Sequence, residues 1–303
     1  MPFMRTDLWR CAVVHAPMTD LVAAGSLAGR KITWLNETRS FRFLADPFGY
    51  WRDGVLHVFA EALDYRDKRG RIDCLRFDVD FRLLDRQSVL NEPWHLSYPV
   101  VFEADGEIWM LPEAYRSGAL RLYRAARFPD KWEVVPDWSF PVAAIDASPV
   151  WHGGLWWMFF SPPGSSVEKQ SLLCAAYAES FSGPWRLHPR NPLRRDLMSA
   201  RPGGTPLVTP QGIVLPTQDC TRTYGGAVSL LAIDELSPEL FSASVTGHLI
   251  MPDAFAPWVD GLHTLSSAGP VTLIDAKRVS RLPTRLAFDA RRWAAGRIGR
   301  VSR

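Results

Sequence analysis

Three carboxylates sit beside turn signals or at the ends of apolar runs, and they are the residues of this chain best suited to chemistry. Asp46 stands in Leu44-Ala-Asp-Pro-Phe, Glu113 closes Ile108-Trp-Met-Leu-Pro-Glu, and Asp146 opens Asp146-Ala-Ser-Pro. Carboxyls in unlike surroundings can divide the work, one ionised to accept a proton or attack, another neutral to donate. The aromatic and apolar approach to Glu113 would desolvate its charged form, raise its pKa and suit it to proton donation; a partner arginine such as Arg121 would cancel that shift. Asp146, after the small apolar Ala143-Ala-Ile, is the alternative donor, and Asp46 reads as base or nucleophile, or as a plain Asp-Pro turn opener. Around these three, Glu61, His95, Tyr98, Arg201, Gln218, Asp219, Arg222, Tyr224 and His263 are candidates to bind a polar ligand. Arg201 and Arg222 could meet a phosphate or carboxylate, with surface salt bridging as the bland reading. Tyr98 or Trp94 could stack on a flat ligand face; His263 and Lys277 are further candidates in the last segment.

Recurring hairpins are what must position these groups. Asp53-Gly54, Asp105-Gly106 and Gly153-Gly154 supply the positive φ of tight two-residue turns, each flanked by alternating or fully apolar strands. Gln211-Gly212 marks a fourth turn, and Leu262–Lys277 holds a weaker fifth hairpin. Further strand pairs follow each hairpin, giving about four strands in roughly fifty residues, the period of a propeller blade. The expected architecture is therefore all-β: a five-bladed β-propeller over residues 36–280. Residues 1–35 are expected as an N-terminal extension packing on it and 281–303 as a basic C-terminal helix or tail. A two-sheet sandwich is the rival, but it gives no reason for turns at a fixed interval. Helices are expected only at Asp20–Leu27, Asp234–Phe241 and Ala287–Ile298. In a propeller, the first strand of each blade lines the central channel and the second returns to the same mouth. Asp46, Glu61, Tyr98, Glu113, Asp146, Ser161, Gln218 and His263 should then share one funnel.

Composition narrows the function classes. The chain has 303 residues, 35 Lys and Arg against 32 Asp and Glu, and a net charge of +3, which gives no support for a nucleic-acid partner. The exception is the tail, where Arg281, Arg285, Arg291, Arg292, Arg297, Arg300 and Arg303 face only Asp289. That segment reads as a solvated helix or a weak contact with an anionic membrane surface. Four scattered cysteines show no zinc spacing, and neither a signal peptide nor a membrane span is legible, so a reduced, cytoplasmic protein is expected. No cofactor is expected and no metal site is assigned, although a propeller funnel can hold a structural cation that sequence would not reveal.

Phe43-Leu-Ala-Asp-Pro-Phe, His95-Leu-Ser-Tyr-Pro, Met110-Leu-Pro-Glu, Phe128-Pro-Asp-Lys-Trp and Asp146-Ala-Ser-Pro resemble the N-terminal propeller domain of the glucosamine inositolphosphorylceramide transferase family over roughly residues 35–280. That domain is in turn similar to the five-bladed propellers of glycoside hydrolase families 32, 43, 62 and 68. The second likeness implies three funnel carboxylates: a first-blade aspartate base or nucleophile, a tuning acid and a proton donor. Asp46 matches the first; Asp146-Ala-Ser-Pro stands near the donor position of family 43, shifted by one residue, and Glu113 is the available second-blade acid. Together the residues and the resemblance lead to a carbohydrate-active enzyme that cleaves or transfers a glycosyl group, in intracellular glycan or glycolipid assembly. Its ligand would be a carbohydrate, sugar phosphate or sugar nucleotide. The rival is a non-catalytic carbohydrate-binding propeller that assists a partner glycosyltransferase.

Overall fold

The computed structural model describes residues 5–35 and 41–281. Five antiparallel sheets form the five blades of a β-propeller. The first blade runs Arg42–Arg52, Val55–Asp64, Arg69–Phe77 and Leu83–Leu90 from the axis outward. The second comprises Ser97–Ala104, Glu107–Glu113, Tyr123–Arg127 and Lys131–Val134, and the third begins with Ile145–His152, Leu155–Ser161 and Leu172–Ala178. In the fourth, the short pieces Arg201–Pro202 and Leu207–Thr209 share the inner position beside Gly212–Asp219, followed by Ala227–Leu236 and Phe241–Leu249.

The fifth blade corrects the expectation for residues 1–35. Its inner strands Leu265–Ala268 and Val271–Ser280 come from the C-terminal part of the described chain, and its outer strands Thr6–Val14 and Ile32–Trp34 from the N-terminal part. Thr6–Val14 pairs with Val271–Ser280 over nine residues, from Thr6↔Ser280 to Val14↔Thr272, so the ring is closed by joining the two ends of the chain. A periodic reading starting at the first hairpin saw no second strand pair after the fifth because that pair lies at the other end of the sequence.

One other expectation differs, and one falls outside the described residues. Asp234–Phe241 is not helical: the third strand of the fourth blade runs to Leu236, a turn in which Ser237 N–H donates to Leu240 O follows, and the next strand starts at Phe241. Ala287–Ile298, and with it the proposed basic tail beyond Arg281, lies outside the described residues. The first helix forms at Met18–Ala24, ending on Gly25 at φ +59°. Among the described residues no helix is long and apolar enough to cross a membrane. Cys11, Cys74, Cys174 and Cys220 are buried free thiols.

Packing explains why the strands read as apolar runs rather than clean alternations. Neighbouring residues on one strand face opposite blades: Val58 packs between the fifth and first blades, Phe59 between the first and second. Met110 and Leu111, Met158 and Phe159, Leu230 and Leu231, and Leu273 and Ile274 divide in the same way, so an apolar cluster fills each blade interface. A sheet covered on both faces has no solvent side to mark with polar residues. Burial of this continuous ring of side chains is the main force holding the funnel residues in place.

Candidate functional site

All five inner hairpins carry a two-residue loop, closing on Arg52↔Val55, Ala104↔Glu107, His152↔Leu155, Thr209↔Gly212 and Ala268↔Val271. In the first two, Asp53 and Gly54, and Asp105 and Gly106, take the positive φ that the sequence called for. Equal loops put the hairpins in one frame. The seventh residue after each loop is Glu61, Glu113, Ser161, Gln218 or Lys277, and all five are buried at the same level.

The first strands are irregular at one level. Their ladder slips between Ala45 and Phe48, Ser97 and Val100, and Ile145 and Ser148, and the residues inside these bulges, Asp46, Tyr98 and Asp146, have φ of +49°, +47° and +50°. Left-handed backbone is costly for a residue with a Cβ and persists where surrounding contacts over-determine it. A bulge re-aims its side chain, and three blades use it at the same height.

Asp46, Glu61, Glu113, Asp146, Gln218 and His263 lie around one funnel, and Arg201 joins them. Arg201 Nε donates to Asp146 Oδ2 at 2.7 Å, and an Arg201 Nη2 lies 3.9 Å from Glu113 Oε2. Gln218 Nε2 also donates to Asp146 Oδ2, at 2.8 Å. Burial, then the neighbouring Asp146 carboxylate, lifts the Glu113 carboxyl well above its usual range, and Arg201 offsets only part of this. Glu113 is therefore biased toward its protonated form beside Asp146, whose Oδ2 is held by Arg201 and Gln218. Glu61 is likewise pushed far up, by burial first and then by Asp46 and Glu113. His95 stands next to it, Nε2 to Oε1 3.4 Å, and accepts the Gly70 N–H on Nδ1 at 2.9 Å. Burial, with a smaller contribution from Arg116, lowers His95 to about 4, so the ring is neutral and its proton is on Nε2, facing Glu61.

Asp46 is raised to about 6, chiefly by burial; His263 and a hydrogen bond from Thr264 oppose this, while Asp275 and Asp146 reinforce it. Thr264 Oγ1 donates to Asp46 Oδ1 at 2.9 Å, and His263 Nδ1 lies 2.6 Å from Asp275 Oδ2. Burial alone would lower His263, but the carboxylates of Asp275 and Asp46 outweigh it and raise the imidazole. Asp46, His263 and Asp275 bring three ligand-type atoms within 4.8 Å. Within this trio His263 Nδ1 and Asp275 form an ion pair.

Three expected site residues are placed otherwise, and a fourth, Arg201, is already engaged inside the funnel. Tyr98 is fully buried, and its hydroxyl accepts from Gly204 N–H at 2.6 Å and pairs with Ser148 Oγ at 2.8 Å, so it plugs the channel between the second, third and fourth blades. Beyond this plug a cavity of about 130 Å³ is lined by Phe48, Val100, Phe102, Pro149 and Trp156. Asp219 turns back on its own loop, accepting from Thr221 N–H and Oγ1. Arg222 lines a separate, open cleft of about 950 Å³ together with Arg5, Thr223, Asp260 and Arg281. Arg201 is committed to Asp146 rather than free for a phosphate, with its guanidinium 5.2 Å from the Tyr224 ring. Tyr224 itself is on the funnel wall, edge-on to His263 at 5.4 Å, its loop pinned by a hydrogen bond from Lys277 Nζ to Tyr224 O.

Asp275, Thr264 and Trp9 were missed. Trp9 stacks on His263 at 3.7 Å and 17°. Asp275 is the fifth residue after its loop, a level where the other blades carry Phe59, Leu111, Phe159 and Pro216. A carboxylate at an apolar register was the available signal, because it stays buried only with partners.

These features define a five-bladed β-propeller with the blade arrangement of several glycoside hydrolases. The chain belongs to the family described as glucosamine inositolphosphorylceramide transferase 1, N-terminal, whose model matches residues 22–251. It is 37% identical over 201 residues to glucosamine inositolphosphorylceramide transferase 1 of Oryza sativa subsp. japonica, covering 65% of this chain and 27% of that one. The namesake of Arabidopsis thaliana is 31% identical over 242 residues, covering 78% and 31%. The chain thus spans less than a third of the length of these curated relatives. Among solved structures, the family 117 glycoside hydrolase Zg3597 of Zobellia galactanivorans aligns with TM-score 0.55 at 12% identity, covering 80% of this chain and 86% of that one. The α-L-arabinofuranosidase PaAbf62A of Podospora anserina aligns with TM-score 0.55 at 11% identity, covering 82% and 94%. At such identity the shared property is the fold. The family and these relatives support a carbohydrate-related role.

Proposed function

We propose that the protein is a carbohydrate-active enzyme that cleaves or transfers a glycosyl group in the propeller funnel, in glycan or glycolipid assembly. Asp46 serves as base or nucleophile and Glu113 as the acid that protonates the leaving oxygen; Asp146, paired with Arg201, helps burial keep the Glu113 carboxyl protonated. The observation that carries this reading is the contrast between the last two: adjacent buried carboxyls, one accepting a hydrogen bond from Arg201, the other lifted well above its usual range by burial. Gln218 Oε1, buried with no hydrogen-bond partner among the described residues, is an acceptor available to a sugar hydroxyl. Arg222 and Arg281, in the neighbouring cleft, are suited to the phosphate of a sugar phosphate or sugar nucleotide.

A second reading, a carbohydrate-binding module that serves a glycosyltransferase, is favoured by coverage. The relatives named as transferases extend far beyond the matched segment, so their chemistry can reside elsewhere. Asp46→Asn separates the two. The enzyme loses about 10²–10⁴-fold in turnover while still binding sugar. A parent protein that binds glycans but turns over no glycoside, sugar phosphate or sugar nucleotide in a donor panel is the module instead.

A further inference from the structure

We propose that Asp275 and His263 of the fifth blade are positioning residues for Asp46 of the first, setting its backbone directly and its carboxylate through Thr264. The proposal deepens the reading of Asp46 as the working carboxylate and concerns how the ring holds it.

Asp46 occupies left-handed backbone and needs an external tie. Its counterparts in the second and third blades are tied by side-chain bonds across the channel, Tyr98 to Ser148 and Gly204, and Asp146 to Arg201 and Gln218. For Asp46 the tie is one carboxylate. Asp275 Oδ2 accepts the Asp46 N–H at 3.0 Å and faces His263 Nδ1 at 2.6 Å; Oδ1 accepts the N–H groups of His263 at 3.1 Å and Thr264 at 3.0 Å. Four donors from two blades therefore converge on a side chain with no solvent exposure. The same clamp fixes Thr264, whose hydroxyl donates to Asp46 Oδ1. His263 is held in turn by the Trp9 stack and by Gly225, where a Cβ would lie 2.7 Å from the His263 Cβ. Since the other blades fill this register with Phe59, Leu111, Phe159 and Pro216, packing alone does not call for an acid at 275.

Asp275→Asn tests the clamp, because the amide keeps one acceptor and presents an NH₂ where two donors arrive. In NMR titrations the His263 imidazole should fall by about 1–3 pH units on losing its carboxylate, and the Asp46 amide should exchange about tenfold faster than neighbouring strand amides. Turnover should drop about 10–100-fold in kcat with little change in KM. Thr264→Val is the isosteric companion should the first variant fold poorly; removing a bond donated to the ionised carboxylate should raise the Asp46 titration by about one unit. Wild-type titration of His263 in Asp275→Asn, or of Asp46 in Thr264→Val, overturns the proposal. Absence of turnover by the parent counts against the enzyme reading alone, and the NMR results still decide the positioning roles.

Discussion

Arg201, from the fourth blade, donates to Asp146, from the third, at 2.7 Å, so a cation is held between two neighbouring buried carboxyls, Asp146 and Glu113. Burial first, and then Asp146 beside it, make a charge on Glu113 unfavourable and lift its carboxyl well above the usual range, while Arg201 and Gln218 satisfy Asp146. The result is one funnel in which the Glu113 carboxyl is lifted well above its usual range while Asp46, a blade away, is raised to about 6. No single blade contains this division: the first supplies Asp46, the second Glu113, the third Asp146, the fourth Arg201, and the fifth the network around His263.

Glu113→Gln should leave the fold nearly untouched. A neutral carboxyl and a carboxamide are alike in size and both can donate a hydrogen bond, so the melting temperature is expected within about 2–4 °C of wild type, the equivalent of about 1 kcal/mol. Turnover should fall about 10²–10⁴-fold, because the amide has no proton to give. A large loss of stability would mean that Glu113 is ionised in the folded protein, contrary to the assignment.

Arg201→Gln should behave in the opposite way. It strands the Asp146 charge in a site where Arg201 and Asp146 side chains are only 12% and 3% exposed, and uncompensated buried charges of this kind cost about 3–5 kcal/mol. Chemical denaturation measures the loss, and a simultaneous Asp146→Asn change should recover part of it by removing the orphaned charge. A double variant no more stable than the single one would show that Arg201 acts through packing against Tyr224 instead.

The strand-level architecture was legible because its signals are local. Asp-Gly and Gly-Gly turns at a steady interval led to the inner hairpins, and the hairpins placed Asp46, Glu61, Glu113, Asp146 and Gln218 at one mouth. What was not legible depends on closure. Residues 6–14 look like any apolar strand, and nothing nearby in sequence reveals that their partner is Val271–Ser280. Tyr98 shares the bulge position of Asp46 and Asp146, so periodicity alone put it in the binding surface; only the hydrogen bonds to Ser148 and Gly204 reveal a plug. The turn at Ser237–Leu240 was mistaken for helix because Asp234-Glu-Leu-Ser-Pro-Glu-Leu-Phe carries good helix formers, and tertiary pairing overrides propensity.

The pH dependence follows from Asp46 with a definite sign. Its folded value of about 6 lies above the roughly 3.9 of an unfolded aspartate, so between these values the folded protein binds more protons. Its contribution is fully present below about pH 4 and is lost as pH rises through about 6, and wild type should lose stability relative to Asp46→Asn over that window. Activity should move the other way, rising through about pH 6 as the base ionises and falling at higher pH as Glu113 loses its proton. Melting curves of both proteins and a kcat/KM profile check the two trends. A difference between the melting curves that does not vary from pH 4 to 6.5 would place the Asp46 titration outside that range.

Trp9 links ring closure to the funnel, and this makes the N-terminal strand part of the site rather than an appendage. Its indole stacks on His263 at 3.7 Å and lies 5.2 Å from Lys277 Nζ, the buried amine that holds the Tyr224 loop. Trp9→Ala should therefore cost about 3–5 kcal/mol through the cavity it leaves, lowering the melting temperature by roughly 6–20 °C at about 2–4 °C per kcal/mol. It should also weaken sugar binding, since His263 and Tyr224 lose a shared support. Trp9→Phe keeps a flat ring against the imidazole and should retain most of both properties. If Trp9→Ala melts and binds as wild type does, the first strand closes the propeller without organising its mouth, and the path from Trp9 through His263 to Asp46 carries no structural information.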